Sequence, residues 1–322
     1  MDVSRPFGPG SVSLRCYPHL DLDAPEIVAE MRAQAALAVE HGFDGVMTSE
    51  HHGGFAGYLP NPLQLAGFLL DAMPRGWAAA CPVLATLRPA ALIAEETAWL
   101  AARHPDRVGV GLAAGALEQD FAVMDLDMHD LTARFTRALE RIAELLRGEA
   151  GDALDGDPAI ARCRDHPVPL VTAATSVTAV RRAARVGAGI ILDSLASVAR
   201  CRELADAYRA AGGTGAIIVV RRVWIGDPPL ARFDDQVQVY RGYAPPGATA
   251  TWDRDQLLTD TDGDELAGRV AQTVLAAGAD ACNVRIHVPG VDAAAARTQI
   301  ARLGHDVVPH VRDALQAARR SA

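Results

Sequence analysis

Nothing in the 322 residues points to a membrane, a nucleic acid or an oxidised scaffold. No apolar run approaches the roughly 20 residues that a bilayer-spanning helix needs. Met1 to Gly10 holds Pro, Gly and Asp where a basic and then apolar leader would stand. Basic tracts are missing too: the formal charge is −9 and the cationic residues are scattered, which argues against nucleic-acid and anionic-lipid surfaces. The five cysteines (Cys16, Cys81, Cys163, Cys201 and Cys282) are odd in number and far apart. That spacing fits neither a disulfide framework nor a C-x-x-C metal motif. The chain also lacks short internal repeats and low-complexity tracts. A soluble, cytoplasmic protein with reduced thiols is expected, with neither nucleic acid nor membrane as a partner. Half of the residues are apolar, enough for a large core.

What is present is an alternation. Residues 11–16 alternate small, apolar and polar side chains as a first strand does. Pro25 then opens a helix with Ile27, Met31, Ala35 and Ala38 on one face. Further strands are expected from Phe43 onward and over 77–84, 107–112, 168–173, 189–193, 215–225 and 280–288. Each is followed by a helical pattern, the last one running over 291–318. Eight strand–helix units without a composition break imply an α/β fold: a closed parallel (β/α)8 TIM barrel spanning 1–322 as a single domain. Insertions fall near 113–130, 149–167 and 226–262. A doubly wound open sheet is the rival, and the count of eight favours the barrel.

The chemistry gathers at one strand end. In Gly42-Phe43-Asp44-Gly45-Val46-Met47-Thr48-Ser49-Glu50-His51-His52, an apolar strand stops at a carboxylate and two imidazoles. Residues just past a barrel strand's C-terminal end face the active-site mouth. Glu50, His51 and His52 are therefore the candidate catalytic residues, although simple hydrogen bonding at a strand end would use the same residue types. Thr175 and Ser176 can cap the helix after the fifth strand and leave backbone N–H groups for a phosphate. Pro82 in the third strand predicts a bulge there, and Cys81 beside it reads as a small packed residue. Gly109, Gly111 and Gly115 miss the G-x-G-x-x-G spacing by one residue, which argues against a dinucleotide fold.

Taken in order, these pieces resemble the bacterial luciferase-like flavin-dependent monooxygenases. The resemblance rests on residues 42–52, Asn61-Pro62-Leu63, the run closing at Arg88-Pro89, and Ala94-Glu95-Glu96. It continues through Asp106-Arg107, Gly109, Gly111, Gly115 and Asp120-Phe121, with Arg134, Arg137 and Glu140 behind them. It implies a barrel with reduced FMN, or a deazaflavin in one branch, at the C-terminal face. His51 matches the imidazole near the reacting flavin edge, with Glu50 or His52 expected to fix its tautomer. The family's non-proline cis peptide falls best on Ala80-Cys81, with Cys81-Pro82 as another place for a cis bond. Thr175 and Ser176 match the phosphate donors, and Asp193 the flavin-facing end of the sixth strand. Where relatives carry Cys-Arg this chain has Ala113-Ala114, so Arg134 or Arg88 is expected to take over the phosphate. No metal site is implied.

The expected activity is a monooxygenase using reduced FMN and O2 on a small organic substrate. His51 would be its acid or base, and Phe55, Tyr58 and Leu59 one pocket wall. The 226–262 segment, with Phe233, Tyr240, Tyr243 and Trp252, would form a mobile cover. A separate flavin reductase and a homodimer belong to the same expectation. Three rivals stand beside it: a deazaflavin-dependent dehydrogenase or reductase, a non-catalytic flavin-binding protein with a decayed site, and, last, a metal-dependent hydrolase using Glu50, His51 and His52.

Overall fold

A computed structural model describes residues 3–55, 57–243, 249, 252 and 257–320. Eight parallel strands close on themselves: β1 (Val12–Arg15), β2 (Gly45–Thr48), β3 (Trp77–Leu84), β4 (Val108–Ala113), β5 (Leu170–Ala173), β6 (Gly189–Leu192), β7 (Ile217–Ile225) and β9 (Ala281–Arg285). β6 pairs with β7 and β9 with β1, which completes the ring. The registers Leu14↔Val46 and Val46↔Ala78 carry one level of the wall from β1 to β3. This is a (β/α)8 TIM barrel. Open-sheet edges are absent from it because every ring strand has two partners.

The strands are short apolar runs whose alternate residues face opposite sides. Val12, Leu14, Val46 and Ala78 point outward into the layer beneath the helices. Met47, Ala79, Cys81, Val171, Ile191, Ile218 and Val220 fill the interior, and Phe7 plugs its floor edge-on to Trp77. The helices start where their caps dictate. In α1 (Ala24–Glu40), Asp23 and Glu26 form a capping box with Pro25 in the first turn. The register shift between Ala80 and Val83 is the bulge expected from Pro82.

At Gly111 in β4 a methyl group would lie 2.2 Å from the Cys81 Sγ. Cys81 cannot retreat easily, since Arg15 Nη1 donates to its carbonyl at 2.8 Å. Gly111→Ala is expected to cost about 1–3 kcal/mol through overpacking, readable as a lower urea midpoint with an unchanged slope.

Several expectations of detail need correction. The 226–262 segment contains α9 (Leu230–Tyr243) and a ninth strand, β8 (Leu257–Asp260), which pairs with the outer half of β7. Asp, Gly and Pro at both ends hid them. Residues 244–248, 250–251, 253–256 and the Tyr243 side chain lie outside the described residues. The expected closing helix is two, α11 (Ala293–Asp306) and α12 (Val308–Arg320), separated at Val307, two residues before Pro309. The 113–130 insertion holds a short helix, α4 (Glu118–Ala122), ahead of α5 (Leu131–Leu145). The remaining helices are α2 (Pro62–Ala72), α3 (Ala90–Arg103), α6 (Pro158–Arg162), α7 (Val177–Arg185), α8 (Val198–Ala210) and α10 (Gly263–Ala276). Among the described residues no helix is long and apolar enough to cross a membrane.

Candidate active site

β2 delivers Ser49, Glu50, His51 and His52 to the C-terminal mouth, where α4 clamps them from the side. The fully buried Asp120 accepts from His51 Nδ1 at 2.7 Å and from the His52 backbone N–H at 2.7 Å. A neighbouring side chain, Gln119, donates to the Gly53 carbonyl at 3.0 Å. A carboxylate only accepts, so Nδ1 of His51 carries a proton, and in the neutral ring Nε2 holds the lone pair. The ring stands edge-on to Tyr58 at 4.5 Å between centroids and against Phe55 at 4.8 Å. This is an imidazole in one tautomer and one orientation beside an aromatic wall.

Glu50 and His52 do another job. His52 Nε2 donates to Glu50 Oε1 at 3.0 Å, and Glu50 Oε2 accepts from the Leu84 backbone N–H at 2.5 Å. Both Glu50 oxygens are thus consumed, one bracing the loop after β2 and the other tying it to β3, with the residue almost wholly buried. The expectation that Glu50 or His52 would fix the His51 tautomer is corrected: Asp120 does so. Its only trace in the sequence was the Asp120-Phe121 pair, because contact across 69 residues is set by how α4 folds back.

The mouth also carries a cluster that the strand reading passed over. Arg15, Arg222 and Arg285 project inward from the ends of β1, β7 and β9 and are nearly inaccessible. Arg15 is satisfied by Asn283 Oδ1 at 2.8 Å, the Cys81 carbonyl and Ser49 Oγ. Arg285 donates to the Tyr240 hydroxyl at 2.5 Å and lies 4.6 Å from the Tyr17 ring centroid. Tyr240 in turn shares a hydrogen bond of 2.9 Å with Tyr58, linking the arginine to the wall beside His51. Burial, reinforced by Tyr17 and Tyr240, raises the Tyr58 phenol well above its ordinary pKa, so it stays protonated. Burial and then the Arg285 guanidinium lower Arg222 to about 10, and it remains cationic at neutral pH. His287, on the loop after β9, is pushed down to about 3 by burial, then by His19 and Arg285. The legible signal was an arginine inside an otherwise apolar run, as in Ile217–Ile225.

A cleft of about 590 Å³ opens elsewhere, under the barrel floor, among Phe7, Leu170, Arg209 and Asp280. It faces the N-terminal ends of the strands, the end of such barrels that contributes stability.

A sequence model of luciferase-like monooxygenases matches residues 13–256. The chain belongs to the luciferase-like monooxygenase family. Within a curated set, an F420-dependent glucose-6-phosphate dehydrogenase of Beutenbergia cavernae is 32% identical over 179 residues, 51% of this chain and 52% of that protein. The chain thus spans about half the length of the curated relative it matches. The oxygenating constituent of 3,6-diketocamphane monooxygenase from Pseudomonas putida, solved with FMN, superposes with a TM-score of 0.76 at 16% identity, covering 93% of this chain and 98% of that one. An F420-dependent secondary alcohol dehydrogenase, solved with an F420-acetone adduct, gives 0.71 at 16% identity over 94% and 99%. At such identities the superpositions speak for the luciferase-like fold alone.

The residues present suit a phosphorylated flavin, the group this luciferase-like family implies. Thr175 and Ser176 are exposed just past β5; Ser176 caps the Ala179 N–H, and Arg200 Nη2 donates to the Thr175 carbonyl at 2.9 Å. Arg200 Nη1 also pairs with Glu203 at 2.6 Å, so a helix start and an ion-paired guanidinium lie at the phosphate position expected from the sequence. Arg88 pairs with Glu96 at 2.8 Å, while its Nε and Nη2 are buried without a partner among the described residues. Arg134 has other uses: its two terminal nitrogens donate to the Asp127 carbonyl at 2.7 Å and the Thr86 carbonyl at 2.8 Å. Asp193, half-buried after β6, accepts from the Leu195 N–H at 2.9 Å. Ala80 and Cys81 are buried in β3, and burial lifts the Cys81 thiol to about 11. The resemblance favoured a cis bond at Ala80-Cys81; the cis bond found among the described residues is Cys81-Pro82. Among the described residues no three His, Cys, Asp or Glu side chains converge on a metal position.

Proposed function

We propose that this luciferase-like oxidoreductase is a monooxygenase that uses reduced FMN and O2 on a small organic substrate. The observation that carries the reading is His51, held through Nδ1 by a fully buried carboxylate at the barrel mouth, with its ring packed against an aromatic wall. When bound, the flavin supplies the electrons for oxygen chemistry. The protein's share is binding, orientation and proton control. Thr175, Ser176 and the Arg200 guanidinium would hold the phosphate, Arg88 would add charge, and Asp193 would serve the ring. Phe55 and Tyr58 keep water from the reacting face. His51 Nε2 takes up or returns the proton, and Asp120 stabilises the imidazolium that results. Glu50 and His52 keep the β2 end rigid. A separate reductase delivers the reduced FMN, and the active form is a cytoplasmic homodimer.

The similarity to an F420-dependent dehydrogenase favours a second reading, in which a deazaflavin moves hydride on the same barrel without oxygen. Anaerobic titration of the purified protein with reduced FMN and with reduced F420 separates them. Tighter FMN binding, followed by O2 consumption with an organic substrate, is expected. Tighter F420 binding moves the assignment to the dehydrogenase, and binding of neither defeats both.

A further inference from the structure

Arg222 and Arg285 are direct partners in the β7–β9 register, so two buried guanidinium groups stand side by side on the inner face. Like charges on paired strand positions repel. Exposed arginines such as Arg147, Arg185 and Arg202 have Asp or Glu partners. Among the described residues neither Arg222 nor Arg285 forms an ion pair, and Asp193 is the one carboxylate in electrostatic reach of Arg222. Their bonds go to neutral groups: Arg222 Nη2 to Gln236 Oε1 at 3.2 Å, and Arg285 Nη2 to the Tyr240 hydroxyl. The Nε atoms of both are buried without a partner. Two further buried arginines behave otherwise. Arg221 uses its donors on the Asp193 and Val220 carbonyls and the Cys201 thiol, and Arg15 on Asn283, Ser49 and Cys81. None of the four has a carboxylate partner among the described residues, but only Arg222 and Arg285 keep buried N–H donors unused, and that pair borders the Tyr58 wall of the His51 site.

We propose that Arg222 and Arg285 bind the carboxylate of an organic-acid substrate and turn its body toward His51. Two forks on adjacent strands suit a planar oxyanion that accepts from both. Tyr17 and Tyr240 flank Arg285 and would line the neighbouring part of the substrate. Tyr240 belongs to α9, outside the barrel ring, so its hydroxyl can yield to the anion without disturbing β9. The proposed flavin phosphate position follows β5, two strands from β7 in the ring, so it is a different strand end from the arginine pair. The inference rests on the mouth being the active site, as proposed above.

The test measures binding of benzoate, benzamide and inorganic phosphate to the flavin-free protein by calorimetry, with FMN affinity recorded separately. Benzoate is expected to bind at least roughly tenfold more tightly than benzamide, since the amide leaves the cations unmatched. Arg285→Met and Arg222→Met should each lose the benzoate preference, with FMN affinity held within about twofold. Arg285→Lys, which keeps the charge but not the fork, should fall between. Equal binding of benzoate and benzamide by the unaltered protein overturns the proposal whatever the variants do. So does preference for phosphate, or a loss of FMN affinity that parallels the loss of benzoate. Failure of the unaltered protein to bind any flavin sinks the flavin reading and leaves the carboxylate comparison interpretable.

Discussion

Asp120→Asn is expected to lower kcat by about 10²–10⁴-fold, the full worth of a positioned acid–base group, while the barrel stays folded. The asparagine carbonyl can still accept from the His52 backbone N–H. Its NH2 would face His51 Nδ1, which must then become the acceptor, so the ring proton moves to Nε2. Nε2 is then left with a donor where the neutral native ring offers a lone pair. The stability cost is expected to be about 1–3 kcal/mol, because one charge-assisted bond becomes neutral in a fully buried place. Urea unfolding and steady-state kinetics on one preparation check both halves. A kcat near that of the unaltered enzyme with the expected loss of stability would reduce Asp120 to a brace for α4.

His51→Ala should match or exceed that loss in kcat, again by about 10²–10⁴-fold, with a smaller effect on stability. His51 is half-buried and its carboxylate partner keeps the His52 N–H after the change. Flavin affinity is expected to hold, since the proposed phosphate contacts lie at β5 and α7. The double variant His51→Ala/Asp120→Asn should be no slower than the slower single variant, because the two residues act as one unit. Additive losses would mean that Asp120 serves the reaction independently of His51.

The alternation of short apolar runs with amphipathic segments was enough to count eight units and so to close the ring. The Trp77–Leu84 strand is read in the sequence to the residue, because Trp, Ala and Val bounded by a Gly turn and Arg88-Pro89 admit little else. α9 and β8 were passed over because both are set among Asp, Gly and Pro, and β8 is only four residues long. The break between α11 and α12 was passed over because apolar periodicity continues through it.

The site divides in the same way. That His51 follows a buried strand at the C-terminal face of the barrel is a local fact, carried by the order of residues 42–52. That Asp120 rather than Glu50 or His52 holds its Nδ1 is decided by α4 folding back over the β2 end, which no local pattern encodes. The Arg222–Arg285 pair makes the contrast sharper. Each arginine alone looks like a charged strand end, and only the β7–β9 register sets them side by side, buried and unmatched. Sequence by itself determined the barrel, the family and the strand that bears the imidazole, because periodicity and spacing are properties of neighbours along the chain. The tertiary structure decided the partner of that imidazole and the cationic pair beside it, because pairing and burial depend on residues dozens of positions apart.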